Sequence, residues 1–215
     1  SGKKKFGKYS SSVKITIKNS SAAESKVITV SPKSDTYKKK YMNTSWFTEQ
    51  TRSYYVLRSY LEYFSNIGGG ELHLKKGTYN LQFPLYIPSN TTVIFEDGVT
   101  IKRQDKGTLF ILCSYNDVNT GKKFYGYNGV HDIKIIGRGK VVFDKEFGGN
   151  AAILMGHTKN ILIEGITFAR MSDTSAHFIE MDASNNVEIR NCTFEGSTSG
   201  GKKEAINLDV PDPAT

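Results

Sequence analysis

The feature that most constrains this chain is an internal repeat. Residues 160–168 (NILIEGITF) and 186–194 (NVEIRNCTF) match position by position at an offset of 26 residues (186 − 160). An earlier copy, residues 132–137 (DIKIIG), starts 28 residues before Asn160 (160 − 132), and residues 92–101 (TVIFEDGVTI) form a looser one. The strand ahead of each copy keeps one register. Leu85 and Ile87, Ile153 and Met155, Ile179 and Met181, and Ile206 and Leu208 are all i, i+2 pairs, so both members of each face one side of a strand. Each repeat thus supplies a first strand, a turn with Asn or Ser, a second strand, and a third around Thr-Phe. One such coil cannot bury its own apolar side chains; stacked coils can. A β-sandwich also has many short strands but requires no constant inward pattern at a fixed period. A leucine-rich repeat would need a Leu/Asn consensus that is absent. The expectation is an all-β, right-handed parallel β-helix, with Ile153, Ile179 and Ile206 in one buried column and Met155, Met181 and Leu208 in another.

One helix interrupts this pattern, over residues 49–65. Tyr54, Leu57, Leu61 and Phe64 recur on one helical face. Thr48 is placed to cap its start, and Gly68-Gly69-Gly70 ends it. Its apolar face must lie against something. Residues 1–47 read as an extension with short strands at 13–17 and 27–30. Residues 48–215 read as the helix and the coil stack. Residues 204–209 start a further coil, and 210–215 follow without a second strand, so the stack is expected to be cut short there.

Composition narrows the function classes. With 38% hydrophobic and 23% charged residues the chain is globular, not disordered. The formal charge of +8 comes largely from Lys3-Lys4-Lys5 and Lys38-Lys39-Lys40. Such a balance suits polyanions, but neither run is interleaved with aromatics, so no nucleic-acid partner is expected. No apolar stretch has the length of a membrane span, and no signal peptide is present. Ser1-Gly2 reads as a processing or cloning scar. Cys113 and Cys192 are too few for a disulfide framework.

Residues 54–103 resemble the start of the pectin lyase-like superfamily. The resemblance rests on the helix, on Gly68-Gly69-Gly70-Glu71-Leu72-His73-Leu74, on Gly77-Thr78-Tyr79, on residues 87–92 (IPSNTT) and on Glu96-Asp97-Gly98. The repeats continue it to Asp209. It implies that the helix caps the N-terminal opening of the solenoid and that a sugar chain lies along the outward face of the first strands. It further implies a secreted or cell-surface, bacterial, carbohydrate-active protein.

The register selects the outward residues of those first strands. They are Pro84, Tyr86, Ala152 and Leu154, then Phe178, Glu180, Asp182, Ala205, Asn207 and Asp209, so the face turns acidic toward the C-terminus. Asp182 and Asp209 stack in neighbouring coils, and Glu180 is two residues from Asp182. Like charges this close raise one another's pKa, and paired carboxylates are the equipment of glycosidases. Glu180, Asp182, Asp209 and the adjacent His177 are the catalytic candidates. Asp182 and Asp209 have a second reading, as strand ends that bind turn amides. Glu204 and Asn207, with Tyr125 and Tyr127 from an aromatic insert at 114–129, are the substrate-binding candidates. Tyr115 and Phe124 share that insert. No spacing of His73, His131 and His157 suggests a metal site and no cofactor is called for, although the acidic cluster has the oxygen-only chemistry that suits Ca²⁺.

A distant resemblance to polygalacturonases departs from their pattern. The matching places read HFIE (177–180) and KEAI (203–206). There is no Asp-Asp pair, and the later Gly-His and Arg-x-Lys motifs are missing. Lys202 and Lys203 match the basic residue of lyases by position only. The expected activity is cleavage of glycosidic bonds in a polysaccharide, including acidic, pectin-like ones, by hydrolysis or elimination. The other reading is a non-catalytic polysaccharide-binding adhesin or a tailspike-like fibre. The oligomeric state is not set by the sequence.

Overall fold

The computed structural model describes residues 27–103, 105–146, 150–171, 176–197 and 204–209. The expected strand at 13–17, the lysines at 3–5, 202 and 203, and residues 210–215 lie outside that set. The described strands form three sheets, and every pairing in them is parallel.

The first sheet carries β4 (Leu85–Ile87), β7 (Phe110–Leu112), β10 (Ile153–Gly156), β13 (Ile179–Asp182) and β16 (Ile206–Asp209). The second holds β1 (Val27–Val30), β2 (Gly70–Leu74), β5 (Thr91–Phe95), β8 (His131–Gly137), β11 (Lys159–Glu164) and β14 (Asn185–Arg190). The third holds β3 (Gly77–Leu81), β6 (Val99–Arg103), β9 (Val142–Asp144), β12 (Thr167–Ala169) and β15 (Thr193–Glu195). Each coil visits the three sheets in turn, as β10, β11 and β12 do, and then rises one strand spacing. This is the right-handed parallel β-helix expected from the repeat. Ile161 pairs with Val187 and with Ile133, the two offsets read from the sequence.

Stacking fills the bore. Ile153, Met155 and Ile179 are fully buried, and Met181 nearly so. Aromatic rings form a column through the coils. Phe143 lies 5.0 Å from Phe95 and 5.5 Å from Phe168, and Phe168 stacks on Phe194 at 5.0 Å. The turn between first and second sheets is held by side-chain amides. Asn186 donates to Asn160 and Asn160 to Asp132, each at 2.9 Å. All three residues have φ between +53° and +57°, a region that Asn and Asp tolerate better than other side chains.

Two expectations about the first sheet are corrected. Phe178 was assigned to the outward face but is buried among Phe168 and Phe194, and Ala152 is buried as well. Both residues precede their strand at the corner. The Phe178 carbonyl accepts from both Ala152 and Ile153, so the backbone bends there and strict alternation starts only at Ile153 and Ile179. Leu208 was placed in the buried Met column. It keeps that register opposite Met181 but is 72% exposed, and Ile206 is only half-buried. Among the described residues no coil lies beyond β16 to cover them.

The helix α1 (Arg52–Ile67) covers the other end. Tyr54, Leu57, Leu61 and Phe64 are all buried, and α1 packs on β3 and β4. Ser53 bonds the backbone of Asn80 in both directions, accepting at 2.9 Å and donating at 3.1 Å. That satisfies a piece of the edge strand that would otherwise face outward unpaired. The helix starts three residues later than expected. Thr48 instead closes a preceding turn, its carbonyl accepting from Thr51 and Arg52, and Thr51 occupies the N-cap without a side-chain bond into the helix. Gly68 ends the helix at φ +85°, where its N–H and that of Gly69 share the Phe64 carbonyl at 3.0 and 2.9 Å. Gly70 admits no side chain, because a Cβ there would sit 2.5 Å from the Phe64 ring.

Candidate functional site

The outward face of the first sheet follows from the pairing. One column runs Tyr86, Ile111, Leu154, Glu180 and Asn207. A second runs Gly156, Asp182 and Asp209. The first column begins aromatic and aliphatic and ends polar, as the sequence suggested. Ile111 was missed as a member because β7 lies in a coil that departs from the repeat.

A cleft of about 490 Å³ lies over this face. Ile111 and Leu154 form its floor, and Glu180 and His177 lie at one end. Pro84 marks the other end. Arg103, Gly107 and Thr108 make one wall, and Asn150 and Ala151 add the start of the next coil. Arg103 is 94% buried in side-chain terms and was not singled out from the sequence. A signal was there: Val99, Ile101 and Arg103 share a strand parity, and the first two are core residues. Its guanidinium donates to the Thr108 carbonyl at 2.7 Å and pairs with Asp105, so it braces the wall from inside.

At the acidic end Asn207 donates to the Glu180 carboxylate at 2.6 Å. Oxygens of Glu180, Asp182 and Asp209 lie within 4.8 Å of one another. Burial raises the Asp182 pKa, and the nearby charges of Glu180 and Asp209 raise it further. A carboxyl that gives up its proton less readily than the carboxylates beside it is the pairing that proton transfer needs. Three oxygen donors this close are also the ligand chemistry of Ca²⁺.

His177 is buried. Its Nδ1 lies 2.9 Å from the Glu204 carbonyl, which can only accept, so Nδ1 carries a proton. The other nitrogen, Nε2, lies 3.7 Å from the Glu180 carboxylate. Glu204 itself is exposed, with its carboxylate 3.6 Å from the same imidazole. Glu180, Asp182, Asp209, Asn207, His177 and Glu204 are therefore brought together.

The insert is built differently from the bare loop expected. Ser114 caps a short helix, α2 (Tyr115–Thr120), by accepting from Asp117 at 3.0 Å. Tyr115 is buried, edge-on to Tyr86 at 5.0 Å. The tip rests beside the β10–β11 turn, where the His157 ring bonds the Gly126 carbonyl at 2.8 Å. Tyr125 and Tyr127 are more than half exposed there and do not line the cleft.

A three-sided coil stack with an outward cleft on one sheet places the chain among right-handed parallel β-helix proteins. No family model and no curated protein matches it. Three solved chains match in structure. One is "a putative glycosyl hydrolase" from Parabacteroides merdae, 14% identical, with a TM-score of 0.47 over 74% of this chain and 88% of that one. No helix among the described residues is long and apolar enough to cross a membrane.

Proposed function

We propose that this chain belongs with the pectin lyase-like β-helices and acts at the cell surface or after secretion. It binds a polysaccharide along the outward face of the first sheet and cleaves a glycosidic bond at the acidic end. The observation that carries this reading is the cleft itself. It runs along the helix axis with an apolar floor that suits the faces of sugar rings, and it ends on Glu180 and His177. Asp182, with its raised pKa, is the general acid, and Glu180 takes or steers the second proton. Asn207 and the carbonyl-locked His177 orient Glu180.

The test is to incubate the protein and its Glu180→Gln variant with neutral and uronic-acid polysaccharides, with and without added Ca²⁺, and to measure new reducing ends and unsaturated products. Gln keeps the size and the bond from Asn207 but cannot titrate. A loss of 10²-fold or more is expected for a proton-transfer group. Equal cleavage by both proteins removes Glu180 from the mechanism. Activity only with Ca²⁺ would recast the three carboxylates as metal ligands.

A non-catalytic adhesin is the second reading. It is favoured by the tight Asn207–Glu180 bond and the aliphatic cleft floor, which serve binding as well as they serve chemistry. Glycan retention without cleavage by either protein on the whole panel would select it.

A further inference from the structure

A second pocket, of about 470 Å³, lies beside the start of α1. Trp46 and Phe83 line it and are 62% and 57% exposed, large apolar side chains left uncovered. Tyr55 adds a third ring, and Thr48, Thr51 and Gln82 supply hydroxyls and an amide. None of the lining residues carries a charge.

Phe83 is held for this exposure. It sits in the turn from β3 to β4, with its ring edge-on to the buried Tyr54 at 5.8 Å. Trp46 is held by the turn ahead of the helix, where its carbonyl accepts from the Thr51 hydroxyl. Two exposed rings, Phe83 backed by Tyr54 and Trp46 on an anchored backbone, fringed by hydroxyl and amide groups, match the chemistry of a pyranose. The rings meet its C–H face, and the polar groups meet its hydroxyls.

The place of the pocket matters as much as its lining. Gln82 and Phe83 line it, while the next residue, Pro84, lines the far end of the cleft. From the coil of Glu180 to the coil of Pro84 there are three strand steps, through Leu154 and Ile111. Each step is about 4.8 Å, close to the length of one sugar in an extended chain. A glycan laid along the cleft would reach Pro84, the chain neighbour of Phe83.

We propose that Trp46 and Phe83 form a distal subsite for an uncharged pyranose, continuing the cleft around the Gln82-Phe83-Pro84 turn. The proposal rests on the polysaccharide reading of the cleft, and it adds that the sugar bound farthest from Glu180 is neutral. An acidic sugar would find no cation among the residues that line the pocket.

Trp46 is the chain's single tryptophan, so its emission reports this site alone. The full chain is titrated with neutral oligosaccharides (gluco-, xylo-, manno- and galacto-series) and with oligogalacturonides. A saturable blue shift with at least one neutral series, and none with oligogalacturonides, is expected. Phe83→Ala removes one exposed ring, leaves Trp46 as the reporter, and should weaken that binding by several-fold to about tenfold, the worth of one aromatic contact. Glu180→Gln should keep a saturable Trp46 shift while lowering cleavage by 10²-fold or more, so the two readings fail separately. Trp46 silent to every neutral series overturns the proposal, as does undiminished binding by Phe83→Ala. A shift that follows protein concentration without sugar would assign the patch to self-association and overturn it as well.

Discussion

Asp182 shows what a single side chain reveals about this site. Its pKa is raised by burial, then by Glu180 and Asp209. A raised acid holds its proton more tightly in the folded chain than in the unfolded one. The cost of ionising it is absent below the ordinary carboxylate value and complete once pH passes the raised value. Asp182→Asn should therefore stabilise the protein at pH 7, on the order of 0.5 kcal/mol given partial exposure. The gain should shrink as pH falls through the carboxylate range. Thermal melts of both proteins from pH 3 to pH 8 check this, and an unchanged difference across the range would remove the charge cluster as its cause. The acidic column was legible because register alone decides which side chains emerge, and Glu180 and Asp182 share a parity. Phe178 was not legible. It shares their parity too, but the corner bend ahead of β13 (Ile179–Asp182) turns it into the bore, and no alternation rule contains that bend. The placement of His177 was equally hidden, since the carbonyl that fixes its ring comes from the next coil.

Among the elements, α1 was the easiest to read and its start the hardest. An aromatic face at helical spacing has one physical explanation, whereas Thr48 and Thr51 are equivalent caps until the turn between them is known. Leu61 is buried to 2% exposure on that face. Leu61→Asp places an unpaired charge against the first coil and should cost at least about 3 kcal/mol. In a chain this long that is a fall in Tm on the order of 10 °C. A normal Tm would show that the helix does not seal the stack. One missed element was β7 (Phe110–Leu112). Its coil carries α2 (Tyr115–Thr120) between first and second sheets, so the period lengthens there and Leu85 aligned past it to Ile153.

For the molecule as a whole, the repeat carried the fold because a solenoid makes its contacts between neighbouring coils. The same locality sets how it opens. β16 (Ile206–Asp209) has one described partner, β13, while β10 (Ile153–Gly156) and β11 (Lys159–Glu164) are paired on both sides. Amide hydrogen exchange should be fastest at residues 206–209 and slowest at β10 and β11, with a graded fall between them. Uniform protection along the stack would mean that the coils open as one cooperative unit. What the sequence could not supply is the cleft, whose walls come from corners where the repeat is irregular.

The insert has a consequence of another kind. Between Leu112 and His131 the chain departs, forms α2 and returns, yet β7 pairs β10 and β8 pairs β11 with no break in register. One coil later the same corner is crossed by His157 and Thr158 alone. The corner accepts a two-residue or a helix-long connection without disturbing the coil stack beneath it. Corner length and core sequence are thus separate inheritances. A lineage, or an engineer, can exchange what sits at that corner while leaving untouched the residues that make the protein fold.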